Sequence, residues 1–199
     1  MTIDVNVKQL DSRFLEEIDE IIEDTMVQIF VVHPSTLEEI ESVKSEAMEH
    51  NSIYYSVPYR LKESASQKCV GYKLDADDLI DIKALKDKVV FIDEADLTPE
   101  MVTKMKDTSL KGIILNPTSK HEELEHFLLS FGADTLDHFD HEVLGKLSMD
   151  RLVLQSAYPK NDFDTLYETA KKISDVMFRP EHSIIARATK SSLALFGLR

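Results

Sequence analysis

The sequence predicts a parallel α/β fold, a (β/α)8 barrel, from three observations. Short β-rich apolar runs alternate with amphipathic segments along the whole chain, eight such runs can be placed, and no glycine-rich phosphate loop follows any of them. Regular βα alternation implies a mostly parallel sheet. Eight units closing on themselves make a barrel, and an open doubly wound sheet is the alternative. The missing glycine-rich loop weighs against the nucleotide-binding form of that sheet. With 199 residues against about 250 for a typical barrel, the expectation is a shortened barrel, residues 1–199 forming one domain with minimal loops.

The elements follow in order. Ile3, Val5 and Val7 recur at period two and predict a strand over residues 2–7. Phe14, Leu15, Ile18, Ile21 and Ile22 have helical spacing. Met26–Val32 is apolar except for Gln28, as a strand buried on both faces would be. Ser35 with Glu38 three residues on reads as a capping box that opens a helix through Met48. Ile53–Val57 and Lys68–Leu74 read as strands, the second followed by a helical pattern at Leu79, Ile80, Ile82 and Leu85. Val89–Ile92 is a strong strand. Thr98, Pro99 and Glu100 then supply an N-cap, a first-turn proline and an acidic first turn. Ile113–Leu115 is a strand. Ser119 and Glu122 read as a second capping box, with Leu124, Phe127 and Leu128 on the apolar face of its helix. Gly132–Leu136 reads as a weak strand, Asp140–Leu147 as a short helix and Arg151–Leu154 as the last strand. Helices over 162–177 and 181–195 close the chain, with Pro180 between them. The expected core holds Ile3, Val5, Ile29, Val31, Tyr54, Val90, Phe91, Ile113, Leu152 and Leu154.

Composition narrows the function classes. Apolar residues make up 43% and charged residues 30%, which are globular values. The longest mostly apolar run, Met26–Val32, falls far short of the roughly 20 residues of a bilayer span, so no membrane association is expected. Met1–Val7 lacks a basic segment followed by an apolar one, and no secretory signal is read. The formal net charge is −14, with Lys and Arg scattered. That acidity argues against non-specific nucleic-acid binding, which depends on neutralising phosphates. One cysteine, Cys69, excludes an intrachain disulfide and makes a reducing cytoplasm the simplest compartment.

The C-terminal segments carry a resemblance. Met149-Asp150-Arg151-Leu152-Val153-Leu154-Gln155-Ser156-Ala157-Tyr158-Pro159, and Ser191-Ser192-Leu193-Ala194-Leu195-Phe196-Gly197-Leu198 after it, resemble the last strand and terminal helix of the TatD-type metal-dependent hydrolases. Upstream, Ile3–Lys8, Val70–Asp75, Val89–Asp93 and Gly112–Asn116 fall at the places of that family's other ligand-bearing strands. The resemblance implies a TatD-like chain order and a metal site at the C-terminal ends of the strands, where imidazoles and carboxylates activate a water.

Nearly every ligand position of that pattern is replaced. The two opening histidines read as Asn6 and Lys8, and a lysine is hostile to a cation. The bridging glutamate reads as Gly71 or Val70. The later histidines read as Ile92 or Asp93 and as Leu115 or Asn116, and the last-strand carboxylates as Gln155 and Ala157. The resemblance with its losses implies a barrel kept as a binding or assembly module, a pseudoenzyme with no cofactor. The expected mouth holds Asn6, Lys8, Gly71, Asn116, Gln155 and Ala157, with Lys8 pairing with Asp93 or Asp75. The alternative is a divergent hydrolase of phosphodiesterase or DNase type that binds a divalent metal through Asp93, Glu94, His33 or the pair His138 and His141. A third reading uses Lys8 or Lys73 as an amine nucleophile or base. The catalytic candidates are therefore Asp93, Glu94 and Lys8. A homo-oligomer or a protein partner stays open, and no ligand is named.

Overall fold

Val, Ile and aromatic side chains favour extended backbone because they pack well on a pleated surface. Eight such runs form strands: β1 Thr2–Val7, β2 Val27–Val32, β3 Ile53–Pro58, β4 Cys69–Leu74, β5 Val89–Asp93, β6 Lys111–Leu115, β7 Leu128–Phe131 and β8 Leu152–Leu154. They belong to a computed structural model that describes residues 1–78, 81, 85, 88–106, 108–118 and 122–198. Each strand pairs in parallel with the next, in the order β1 to β8. The helices are α1 Ser12–Thr25, α2 Leu37–Glu49, α3 Pro99–Lys106, α4 Ala133–Leu136, α5 His141–Lys146, α6 Thr165–Met177 and α7 Glu181–Phe196. Short 3-10 turns occupy other connections, among them Tyr59–Ser64 and Glu94–Asp96.

Alternation along the strands divides the core in two. Ile3, Val5, Val31, Val89, Phe91, Ile113, Leu115 and Val153 form one cluster, the lumen of the barrel. Phe30, Val32, Tyr55, Val57, Val90, Ile92, Ile114, Leu129, Phe131, Leu152 and Leu154 alternate with that set and join the helices in an outer layer. This two-layer packing is what a (β/α)8 barrel requires. Two glycines permit close approach. A Cβ on Gly71 would stand 2.1 Å from the Val89 carbonyl oxygen, and one on Gly112 would stand 2.5 Å from the Phe127 ring.

The barrel is nearly closed. β1 and β8 share no ladder among the described residues, and specific contacts bridge the seam. The Lys8 amide donates to the Tyr158 carbonyl at 2.8 Å. Asp4, 0% exposed, accepts from the Ser156 amide at 3.1 Å, from the Ser156 hydroxyl and from the Asn6 amide. Helix α7 packs against both β8 and β1. Its Thr189 and Ser191 hydroxyls donate to the carbonyls of Met1 and Asp150, just ahead of those strands. Leu193, Leu195 and Phe196 pack on the lumen cluster, Phe196 stacked on Phe91 at 6.0 Å between ring centroids. The helix thus caps the N-terminal end of the barrel.

Several sequence expectations are corrected. The seventh strand is Leu128–Phe131, and Gly132–Leu136 is not a strand: Gly132 is the N-cap of α4. A short apolar run cannot be told from a helix face by periodicity, and the polar Ser130 hid the alternation. The first capping box is Thr36 with Glu39, one residue later than read. Met26 is not in β2; it is the left-handed C-cap of α1 and is exposed. Tyr55, not Tyr54, is the buried ring of β3, and Ile29 is partly buried against the lumen. Leu79, Ile80, Ile82 and Ser119 lie outside the described residues, while Leu85 is buried. No helix among the described residues is long and apolar enough to cross a membrane.

Candidate functional site at the barrel mouth

In this architecture the C-terminal ends of the strands present side chains to the loops that carry function. Here a chain of amides lines that end. Asn116 Nδ2 donates to Asp93 Oδ2 at 3.0 Å, and Gln155 Nε2 donates to Asn116 Oδ1 at 2.5 Å. Gln155 Oε1 in turn accepts from Asn6 Nδ2 at 3.0 Å and from the Ser130 hydroxyl at 2.8 Å. A carboxylate is acceptor-only, so Asp93 orients Asn116, which orients Gln155, which orients Asn6. The last acceptor, Asn6 Oδ1, is buried and has no donor among the described residues. Asn116 holds its place with φ of 51°, a left-handed conformation that asparagine tolerates better than most residues.

Two ammonium groups stand beside this chain: Lys8, just past β1, and Lys73 in β4. Lys8 is half-buried. Burial, then repulsion from Lys73, pushes its pKa down to about 8, while attraction to Asp93 and Asp96 opposes the shift. Burial raises the Asp96 carboxyl, and its neighbours Asp93 and Asp75 add to that. Lys8 forms no ion pair with Asp93 or Asp75, contrary to expectation. Asp75 is taken by Arg60 and Asp93 by Asn116.

His33 follows β2 and turns inward, packing edge-on against Phe91 at 4.7 Å. Its Nε2 is 2.8 Å from the Val5 carbonyl, which can only accept, so Nε2 carries the proton. Nδ1 then accepts from the Ser56 hydroxyl at 2.7 Å. Burial first, then the Lys8 charge, hold its pKa well below the ordinary value. Both ring nitrogens of this neutral imidazole are committed to the protein.

The structure brings Asn6, Lys8, Asp93, Asn116 and Gln155 together. Ala157, with φ of 63°, lines a cavity of about 380 Å³ that Lys8, Asn116 and Gln155 also line. Gly71 lies deeper, against β5. Glu94 is a clamp: its carboxylate accepts from the Thr118 amide and, at 2.9 Å, from the Thr118 hydroxyl. The pair His138 and His141 is divided. His138 lines the cavity, whereas His141 opens α5 behind its N-cap Asp140 and is exposed. Among the described residues the one group of three ligand-type side chains within reach of a common ion is Glu46, Glu49 and His50, where α2 ends ahead of β3. That is the far end of the barrel. Sequence reasoning missed Asp4, Ser130, Lys160 and Asn161. An acidic residue between Ile3 and Val5, two residues before Asn6 on a strand-like run, was the available signal for the first.

No family model matches the sequence, and no curated protein sequence matches it. Solved structures do match in shape. The chain is similar to YjjV, a TatD homologue from Escherichia coli K12, with TM-score 0.77 and 13% identity over 100% of this chain and 98% of that one. It is similar to a TatD family hydrolase from Entamoeba histolytica, with TM-score 0.65 and 9% identity over 98% and 97%. It is also similar to the 5-carboxyvanillate decarboxylase LigW from Sphingomonas paucimobilis, with TM-score 0.63 and 8% identity over 100% and 99%. The chain therefore has the (β/α)8 fold of the TatD-type metallo-dependent hydrolases.

Proposed function

We propose that this barrel is a binding module that does not perform the metal-dependent hydrolysis associated with its fold, the whole chain acting as one unit. The observation that carries the reading is the state of the groups at the strand ends. A divalent hydrolytic centre needs several convergent carboxylates and imidazoles with free lone pairs. Here Asp93 holds Asn116, Glu94 holds Thr118, and both nitrogens of His33 are spent. Asp93 and Glu94 keep further lone pairs, but Lys8 and Lys73 bring positive charge to the same mouth, and the unbonded Asn6 Oδ1 is a single neutral oxygen. These residues do not fit a dinuclear metal centre, and no metal or other cofactor is part of this reading. The half-buried thiol of Cys69 agrees with a reducing, cytoplasmic setting.

The test is a phosphodiesterase and nuclease assay with Mg²⁺, Mn²⁺ or Zn²⁺ added, run beside Asp93→Ala. The expected outcome is no turnover with any metal. Robust turnover that disappears in Asp93→Ala would overturn the reading and put a rebuilt hydrolase in its place.

A further inference from the structure

We propose that the cavity between the ends of β6, β7 and β8 receives a small organic monocarboxylate, whose carboxylate pairs with the Lys8 ammonium. The proposal rests on the binding-module reading and names its ligand class.

The charges select a monoanion. Lys160 also lines the cavity, but Asp134 neutralises it at 2.8 Å. Lys8 has neither a hydrogen bond from its ammonium nor an ion pair among the described residues. Asp93 and Asp96 attract it and Lys73 repels it, none of them in direct contact, and a partly buried cation with no direct partner carries a desolvation cost that a bound anion offsets. A dianion would bring surplus negative charge close to Asp93 and Asp134.

The donors select an oxyanion. A side-chain amide carries two N–H donors. Asn116 spends one on Asp93 and Gln155 spends one on Asn116, so each keeps one unspent among the described residues. Together with the Lys8 ammonium they offer donors to a two-oxygen headgroup. A charge-assisted bond from an ammonium to a carboxylate is the strong kind.

The walls select an organic body. Pro117, Ala133 and Ala157 line the same space, and they suit a short apolar moiety attached to the headgroup. The volume, about 380 Å³, lies at the small end of the range for small-molecule pockets and excludes a folded partner.

The experiment is a titration of the full chain with sodium benzoate at constant ionic strength, followed by calorimetry and by amide shifts of Ala133 and Ala157. Saturable benzoate binding is expected. It should weaken at least about tenfold, 1.4 kcal/mol or more, in Lys8→Met, and less than about threefold in Lys160→Met, since Lys160 is already paired. Circular dichroism verifies that both variants fold. Unchanged affinity in Lys8→Met, inorganic phosphate binding as tightly as benzoate, or no saturation up to roughly 10 mM would each overturn the site. If benzoate fails and the hydrolase assay is also silent, only the carboxylate site falls. If the assay shows turnover lost in Asp93→Ala, the binding-module reading falls, while Lys8-dependent benzoate binding still sustains the site.

Discussion

His33 shows how a residue that reads as a catalyst becomes structural once its partners are known. Its proton sits on Nε2 toward the Val5 carbonyl, its lone pair takes the Ser56 hydroxyl, and its ring is buried against Phe91. The folded state holds the imidazole neutral well below the ordinary value of 6.5. The unfolded chain takes up a proton near 6.5, and the folded chain does not. Stability from His33 is therefore present above about pH 6.5 and is lost as pH falls toward the folded-state value. The slope is at most about 1.4 kcal/mol per pH unit. Urea unfolding at pH 7.5 and 5.5 checks this. Wild type should lose more stability on acidification than His33→Gln, which has no imidazole to protonate. Equal losses would show that the ring is not the group responsible. The sequence showed a histidine at a strand end; burial and tautomer needed the neighbouring strands β1 and β3.

At the scale of elements, the cap of α2 was legible to within one residue. Two overlapping capping patterns precede α2, Ser35 with Glu38 and Thr36 with Glu39, and both satisfy the same rule. The structure uses the second. Thr36 Oγ1 accepts from the Glu39 amide at 3.2 Å, and the Glu39 carboxylate reaches back to the amides of Thr36 and Ser35. Glu39→Ala should cost about 1 kcal/mol, the usual value of a helix cap. Glu38→Ala, one residue earlier and free of the box, should stay within about 0.5 kcal/mol. Chemical denaturation of the two variants distinguishes them, and equal costs would restore the earlier register. β7 failed for a different reason. Phe127, Leu128, Leu129 and Phe131 satisfy helical and extended spacing alike, and only pairing with β6 and β8 makes Leu128–Phe131 a strand.

At the scale of the whole molecule, the seam between β1 and β8 lacks a strand ladder among the described residues, and the candidate site sits on top of it. In place of a ladder there are Asp4 with Ser156, Asn6 with Gln155, Lys8 with Tyr158, and the helix α7 behind them. Burial raises the Asp4 carboxyl, and its bonds from Ser156 and Asn6 work against that. Removing the carboxylate leaves the amides of Asn6 and Ser156 and one hydroxyl without their acceptor inside the protein. Asp4→Ala should therefore cost about 3 kcal/mol or more, at roughly 1–3 kcal/mol for each stranded buried group. Hydrogen exchange should show protection falling first at Asn6, Lys8 and Ser156, before the β4–β6 centre of the sheet. Loss spread evenly over all eight strands would argue that the seam is not a separate weak line.

The sequence by itself determined the barrel. Eight apolar runs at βα spacing, with the matching C-terminal pattern around Arg151–Leu154 and Leu193–Gly197, leave few other ways to bury those faces. It also showed that the strand ends carry Asn6, Lys8, Asn116 and Gln155, amides and an amine, because residue type at a strand end can be read directly. Only the tertiary structure decided what those residues do to one another. The amide chain running from Asp93 to Asn6 joins β5, β6, β8 and β1. The Lys8 and Lys73 charges meet from β1 and β4, and Lys160 is cancelled by Asp134 from α4. Hydrogen bonds and Coulomb interactions act over a few ångströms, and residues 4 and 156 come within that range only when the barrel closes.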